Sequence, residues 1–309
     1  MKISVIGAGN VGSLTGLRLA QENLAEVVLI DVAKGIAQGK AFDMEDARSL
    51  LNINYSIQGA EDIQNIKGSD IIVVTAGLAR KPGMTREELL AKNAQILKDI
   101  CLNIKKITPE AIVIVVTNPV DLMTYFALKV TGFSPRKVIG MGVTLDASRF
   151  ANLISKELDV PVTEIEAFVI ASHGEGMLPL ARFTKVRGKP LDTLLNKEKI
   201  SGLIKKTVGR GAEIVALFGT GSAYFAPSAA AFDLVKAVAK NESRSLGVAA
   251  YCVGEYGLKD ICIGVPALIG RRGIEKIIEL DLNREESEFL NNSAEAIRKN
   301  IDSLKSFFA

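Results

Sequence analysis

The sequence predicts an α/β protein, a doubly wound parallel sheet followed by a second, α+β domain. Two observations carry that prediction. Through the first half, near-continuous apolar, β-branched runs alternate with longer segments of helical period, as parallel strands covered on both faces require. After about Leu145 the alternation gives way to mixed helices and strands, ending on strands joined by tight turns. The division places one domain at residues 1–144 and the other at 145–309.

In chain order, KISVI opens as a strand, VGSLTGLRLAQE follows as a helix, EVVLID is the second strand and IAQGKAFDMEDARSLL the second helix. DIIVVTA, AIVIVVT and KVIG are further buried strands. Beyond them, DASRFANLISKEL reads as a helix, and EAFVIAS and ARFTKV as strands, with a turn at Arg187-Gly188-Lys189-Pro190. Helices run roughly over Lys197 to Phe218 and Ser222 to Ala239. The segment from Ser243 to Leu280 reads as antiparallel strands turning at Glu255-Tyr256-Gly257 and Arg272-Gly273. A charged amphipathic helix, Arg284 to Phe308, closes the chain.

Composition narrows the function. A chain of 309 residues with 48% hydrophobic content holds one large core or two modest ones. Its 38 basic and 35 acidic residues leave +3, with no sustained basic run interleaved with aromatics, so no nucleic-acid footprint is present. Cys101, Cys252 and Cys262 are odd in number and form no C-x-x-C, which points to free thiols in the cytoplasm. The opening MKISVIGAGNVGSLTGLRLA imitates a signal peptide, but its glycines break the apolar run too early. No apolar segment approaches the roughly 20 residues of a membrane span.

Gly7-Ala8-Gly9-Asn10-Val11-Gly12 is G-x-G-x-x-G directly after a strand and opening a helix. Such a turn brings backbone close to a pyrophosphate at the helix N-terminus. Asp31 ends the next strand, where a carboxylate accepts hydrogen bonds from an adenosine ribose and repels a 2′-phosphate, favouring NAD over NADP. Lys34, nearby, is read as a solvated helix-start residue. The competing reading is a glycine turn that merely permits packing, with Asp31 as a cap.

His173 is the single histidine, at the end of FVIAS and followed by glycine. An imidazole suits the removal of a hydroxyl proton near neutral pH, and a carboxylate on its second nitrogen would orient it. Asp146 and Glu175 are the candidates. Asp146 and Arg149 at i, i+3 share a helix face, either as one pocket's side chains or as a surface ion pair.

The ordered set Gly7 to Gly12 with Asp31, ARKPGMTREEL, VTNPVD, TLDASRF, His173-Gly174 and GEYGLKDICIGVPALIG resembles the NAD-dependent lactate and malate dehydrogenases over essentially the whole chain. That resemblance implies a Rossmann cofactor domain, a substrate domain, and hydride transfer between NAD and a 2-hydroxy acid without metal. It makes His173 the acid/base, Asp146 its orienting partner, and Arg149 the clamp on the substrate's C1 carboxylate. Arg86 falls to the oxygen on the reacting carbon. Arg80, on a lid with a Pro82-Gly83 turn, falls to the substrate's far end, where a cation suits the second carboxylate of malate or oxaloacetate. Lys81 is then a rim charge. Asn118 contacts cofactor or substrate, while Thr75, Ala76, Gly77, Asn93 and Val116 complete the cofactor path, and Gly221 with Ser222 forms the far wall. The family forms dimers and tetramers, so a homodimer or homotetramer is expected. Around the histidine the chain departs from the family, which usually shows glycine or glutamate before it and aspartate two after, whereas here the stretch is Ala171-Ser172-His173-Gly174-Glu175-Gly176. The rivals are a dehydrogenase for lactate or another 2-hydroxy acid, separated by Arg80, and a non-catalytic NAD sensor, separated by whether NADH is oxidised.

Overall fold

The computed structural model describes residues 1–78, 86–304 and 307, the side chains of Arg86 and Glu87 aside. Strand β1 (Lys2–Ile6) leads through α1 (Asn10–Gln21) to β2 (Glu26–Ile30), α2 (Ile36–Leu51) and β3 (Ile57–Ala60). The chain then crosses to β4 (Ile71–Val74), α3 (Arg86–Ile107), β5 (Ile112–Val115), α4 (Val120–Thr131) and β6 (Val138–Gly140). All six strands are parallel, in the order β3-β2-β1-β4-β5-β6. Val5, Leu29, Val73 and Ile114 are fully buried, which explains why these strands read as unbroken apolar runs. Because β1 pairs β2 on one side and β4 on the other, the chain winds in opposite directions from it, and a crevice opens beyond the carboxyl ends of β1 and β4.

Beyond β6 come α5 (Val143–Leu158), β7 (Ile165–Glu166), β8 (Val169–Ala171), β9 (Met177–Pro179), β10 (Lys185–Val186) and β11 (Lys189–Pro190). The turn read at residues 187–190 is the tip of the β10–β11 hairpin, with Arg187 and Gly188 both in the left-handed region (φ 52° and 74°). Helices α6 (Lys197–Phe218) and α7 (Phe225–Ala239) precede the long antiparallel pair β12 (Arg244–Val253) and β13 (Lys259–Gly270), then β14 (Gly273–Ile277) and α8 (Arg284–Asp302). Helix α7 starts three residues later than the sequence reading, and α8 ends at Asp302. Strand β9 was not anticipated.

The larger surprise is continuity. Strand β12 joins β6 through Ala249 and Gly140, and β13 joins β8 through Gly264 and Ala171, so one 11-stranded sheet runs from β3 to β9 with β14 alongside. Gly264 makes the second junction possible, since a Cβ there would strike the Ala171 carbonyl and lie 2.6 Å from Val143 Cγ1. The main core spans this sheet and its covering helices. A smaller one, including Val143, Phe150, Ile154 and Leu191, sits beneath α5 and α6. The apolar face of α7, including Ala231, Leu234 and Val235, is buried within the chain. Helix α4 is buried from Val120 through Leu128, and the one carboxylate in that stretch, Asp121, is buried with it.

Helix α8 begins with a reciprocal capping box between Asn283 and Glu286. All three cysteines are free and buried, and burial pushes the thiols of Cys101 and Cys252 up to about 12, well away from reactivity. Among the described residues, no helix is long and apolar enough to cross a membrane.

Candidate active site

The glycine turn after β1 lies on the crevice. Gly7 takes φ 100°, and a Cβ on Gly12 would strike the Gly7 carbonyl, so Gly12 lets α1 press onto the turn. Among the described residues, nothing lies within 4 Å of where a Cβ on Gly9 would stand, leaving its backbone open to a ligand. Asp31 is fixed at the end of β2: its Oδ2 accepts the Ala8 N–H at 2.7 Å and its Oδ1 the Ala33 N–H at 2.9 Å. Thr75 Oγ1 donates to the Gly7 carbonyl at 2.8 Å, tying the loop after β4 to the turn.

Two cavities meet here. One, of about 580 Å³, is lined by Gly7, Gly9, Asp31, Thr75, Ala76 and Gly77 among others. The second, of about 430 Å³, continues past Thr75 and Gly77 to Val11, Asn93, Val116, Asn118 and His173. Gly221 and Ser222 form part of its wall. An elongated cleft with a carboxylate at one end and an imidazole at the other fits an extended dinucleotide. Asn10 opens α1 from an exposed position, and Lys34 is likewise exposed. Asn93 lines the cleft yet spends its amide on the frame: Oδ1 accepts the Leu78 N–H at 2.8 Å and Nδ2 donates to the Asn118 carbonyl at 3.0 Å.

Behind His173 stands Asp146. In the first turn of α5 and fully buried, it accepts from His173 Nδ1 at 2.7 Å through Oδ2 and from Arg149 Nη1 at 3.2 Å through Oδ1. The Asp146–Arg149 pair therefore exists, but it is interior, with the Arg149 side chain 11% exposed. Arg149 Nε is buried without a hydrogen-bond partner among the described residues, a spare donor on a positive group. Gly211 of α6 faces this guanidinium, where a Cβ would make an ordinary contact at 3.6 Å. Glu175 is exposed, so Asp146 is the partner of the imidazole. Arg80 and Lys81, and with them the lid, lie outside the described residues, as does the side chain of Arg86; its backbone opens α3.

Asp121 was not singled out from the sequence. Its Oδ2 accepts both the His173 backbone N–H and the Ser172 hydroxyl at 2.9 Å, while Oδ1 is buried without a partner among the described residues. On the other side, Ser293 of α8 accepts the Ser172 N–H at 3.1 Å and donates to the Gly176 carbonyl at 3.2 Å. The departing stretch ASHGEG is thus pinned from α4 and α8, and Ala171 within it holds a φ of 72°, strained for a residue with a Cβ. Only the NPVD motif hinted at Asp121, and a turn-plus-helix start explains that motif equally well.

Burial opposes charging both groups, with opposite results. For His173, burial depresses the imidazolium, but the Asp146 charge, its hydrogen bond and the Asp121 charge together outweigh burial and the repulsion of Arg149, so its pKa is raised. For Asp121, burial dominates and pushes the carboxyl up to about 6, against the hydrogen bonds and charge of His173 and Ser172 and with Asp146 assisting.

Comparison with known proteins places the whole chain. Residues 1–140 match the family described as lactate/malate dehydrogenase, NAD binding domain, and residues 143–308 its alpha/beta C-terminal domain. The malate dehydrogenase of Methanosarcina mazei is 48% identical over 305 residues, covering 99% of each chain. Among solved structures, the apo malate dehydrogenase of Picrophilus torridus superposes with a TM-score of 0.96 at 40% identity, covering 99% of this chain and 98% of that one. The lactate dehydrogenase of Cryptosporidium parvum, complexed with lactic acid and nicotinamide adenine dinucleotide, superposes with a TM-score of 0.94 at 37% identity, covering 98% and 97%.

Raised folded-state values for both groups mean that the folded chain holds these protons more tightly than the unfolded one. Their stabilising contribution is complete below the unfolded pKa and fades as pH climbs through the folded pKa, for Asp121 between about 4 and 6 and for His173 above about 6.5. In urea titrations, the stability of the unliganded protein relative to its His173→Asn variant should shrink as pH rises from about 6 to about 9. A difference that grows over that range would contradict the assigned shift.

Proposed function

The chain belongs to the lactate/malate dehydrogenase family, and from that premise we propose that it oxidises (S)-malate to oxaloacetate reversibly with NAD, using His173 as acid and base. The observation that carries the reading is the 2.7 Å bond from His173 Nδ1 to fully buried Asp146 at the end of a dinucleotide cleft. NAD, when bound, supplies the site for hydride; the residues Gly7, Gly9, Asp31, Thr75, Ala76 and Gly77 would hold it.

Because Asp146 occupies Nδ1, the other ring nitrogen carries the proton traffic. Neutral His173 takes the substrate hydroxyl proton through Nε2, and Asp146 stabilises the resulting imidazolium. Arg149, anchored by one Nη to Asp146, keeps further donors for the C1 carboxylate. Arg86 is assigned to the oxygen on the reacting carbon and Arg80 to the second carboxylate, both on sequence grounds. A two-domain organisation divided near residue 144 would put the cofactor turn in one domain and Asp146, Arg149 and His173 in the other. A homodimer or homotetramer in the cytoplasm accords with the buried free thiols and with Phe42 and Leu50 of α2, which are 65% and 88% exposed in the single chain.

His173→Asn should bind NADH with near wild-type affinity yet lose most turnover, by about 10² or more in kcat, because only proton transfer is removed. Near-normal turnover would exclude the imidazole as base. Arg80→Gln should lower kcat/KM for oxaloacetate by on the order of 10² or more and improve pyruvate relative to it. Unchanged selectivity between the two oxoacids would move the substrate assignment to another group. Activity should be recovered in the soluble cell fraction and sediment as a dimer or tetramer, and a membrane-bound or monomeric active species would overturn that part of the reading.

A further inference from the structure

Lys40, in the second turn of α2, is a cation with an unusual set of partners. Its ammonium donates to the Ala8 carbonyl at 2.7 Å and contacts Ser13 Oγ at 3.1 Å. Ser13 Oγ, on α1, donates to the same carbonyl at 2.8 Å. Ala8 lies inside the G-x-G-x-x-G turn, and its own N–H is held by Asp31. One residue of the phosphate-facing turn is therefore gripped at both ends, by a carboxylate at its N–H and by an ammonium at its C=O. Lys40 is half-buried, and among the described residues it forms no ion pair with a carboxylate.

Two consequences follow from elementary geometry and charge. In a trans peptide the C=O and the next N–H point in opposite directions, so donors fixing the Ala8 carbonyl also fix the direction of the Gly9 N–H. That N–H donates to nothing among the described residues, and Gly9 faces open space on the 580 Å³ cavity. The second consequence is electrostatic. Asp31 is needed for the ribose but brings negative charge to the turn that must receive a pyrophosphate. Lys40, with no acid of its own, offsets it.

We propose that Lys40, with Ser13, is a positioning residue for cofactor binding: it sets the Ala8–Gly9 peptide so that the Gly9 N–H presents to a pyrophosphate and adds positive charge beside the turn. This rests on NAD occupying the cleft. The alternative is a mechanical brace that merely ties α2 to the turn, and the two differ in what they predict for ligands with and without phosphate.

The test is a fluorescence and calorimetric titration of NADH, ADP-ribose and adenosine against the wild type, Lys40→Met, Lys40→Arg and Ser13→Ala. Lys40→Met should raise the Kd for NADH and ADP-ribose by about tenfold while leaving adenosine within about twofold, and Lys40→Arg should recover most of the loss. The wild-type Kd for ADP-ribose should also rise more steeply with salt than that of Lys40→Met. Ser13→Ala, which keeps the charge, should lose only about threefold, and with Lys40→Arg it keeps the comparison decisive if Lys40→Met does not fold. ADP-ribose affinity unchanged in Lys40→Met would overturn the proposal, as would equal weakening of adenosine, which marks a brace. A wild type that binds neither NADH nor ADP-ribose would instead sink the cofactor reading itself, and the proposal with it.

Discussion

Asp146 is a fully buried carboxylate that accepts a hydrogen bond from an imidazole and another from a guanidinium. A buried charge left without partners costs several kcal/mol, so neither His173 nor Arg149 can drift without exposing the site to that penalty. It stands in the first turn of α5, the end of the helix where the dipole favours an anion. The partners come from different parts of the chain, and the sheet fixes their separation. Helix α5 leaves directly from β6, while His173 leaves from β8, and the two strands are linked through β12 and β13. Since β8 meets β13 at a single register pair, Ala171 with Gly264, its end needs further restraint. Asp121 from α4 and Ser293 from α8 supply it through the backbone on either side.

The cofactor end depends on the same economy of restraint. The cleft opens where strand order reverses at β1, so its position follows from the winding of the sheet. Its width is set by side chains that bond to backbone. Asn93 joins the loop after β4 to the loop after β5, and Thr75 joins the loop after β4 to the glycine turn. Polar groups facing such a cleft are free to meet a ligand only because others, just behind, have satisfied the frame.

How much of this the sequence disclosed follows the range of the interactions. The glycine turn with Asp31 was legible because a strand, a turn and a helix start leave a local pattern. His173 and Asp146 became legible once several motifs fell in a family order. The junctions Gly140–Ala249 and Gly264–Ala171 were not, because a single long-range register pair leaves no periodicity to read. Asp121 and Lys40 escaped for a related reason. Each acts through one backbone group brought near by folding, and in the sequence one is an ordinary helix-start acid and the other a lysine on an amphipathic helix. Glu175, closer in sequence to the histidine, was an equal candidate on spacing, and only the packing of α5 beneath the ring decides for Asp146.

The charge balance around His173 bears on the stretch between β4 and α3. With His173 neutral, the described groups around it are two carboxylates, Asp121 and Asp146, against one guanidinium, Arg149. Protonating His173 brings this set to balance, and its raised pKa makes that state accessible near neutral pH. Linkage makes the preference mutual: an anionic oxoacid binds better to the protonated site, and its binding tightens the hold on the proton. In the proposed mechanism, the proton required for reduction is loaded by the same electrostatics that favour an anionic substrate. Yet a balanced site still has no surplus cation for a dianion. On the proposed reading the further positive charge comes from Arg80 and Lys81, in the stretch leaving β4, and from Arg86 at the start of α3, with no acid among them before Glu87.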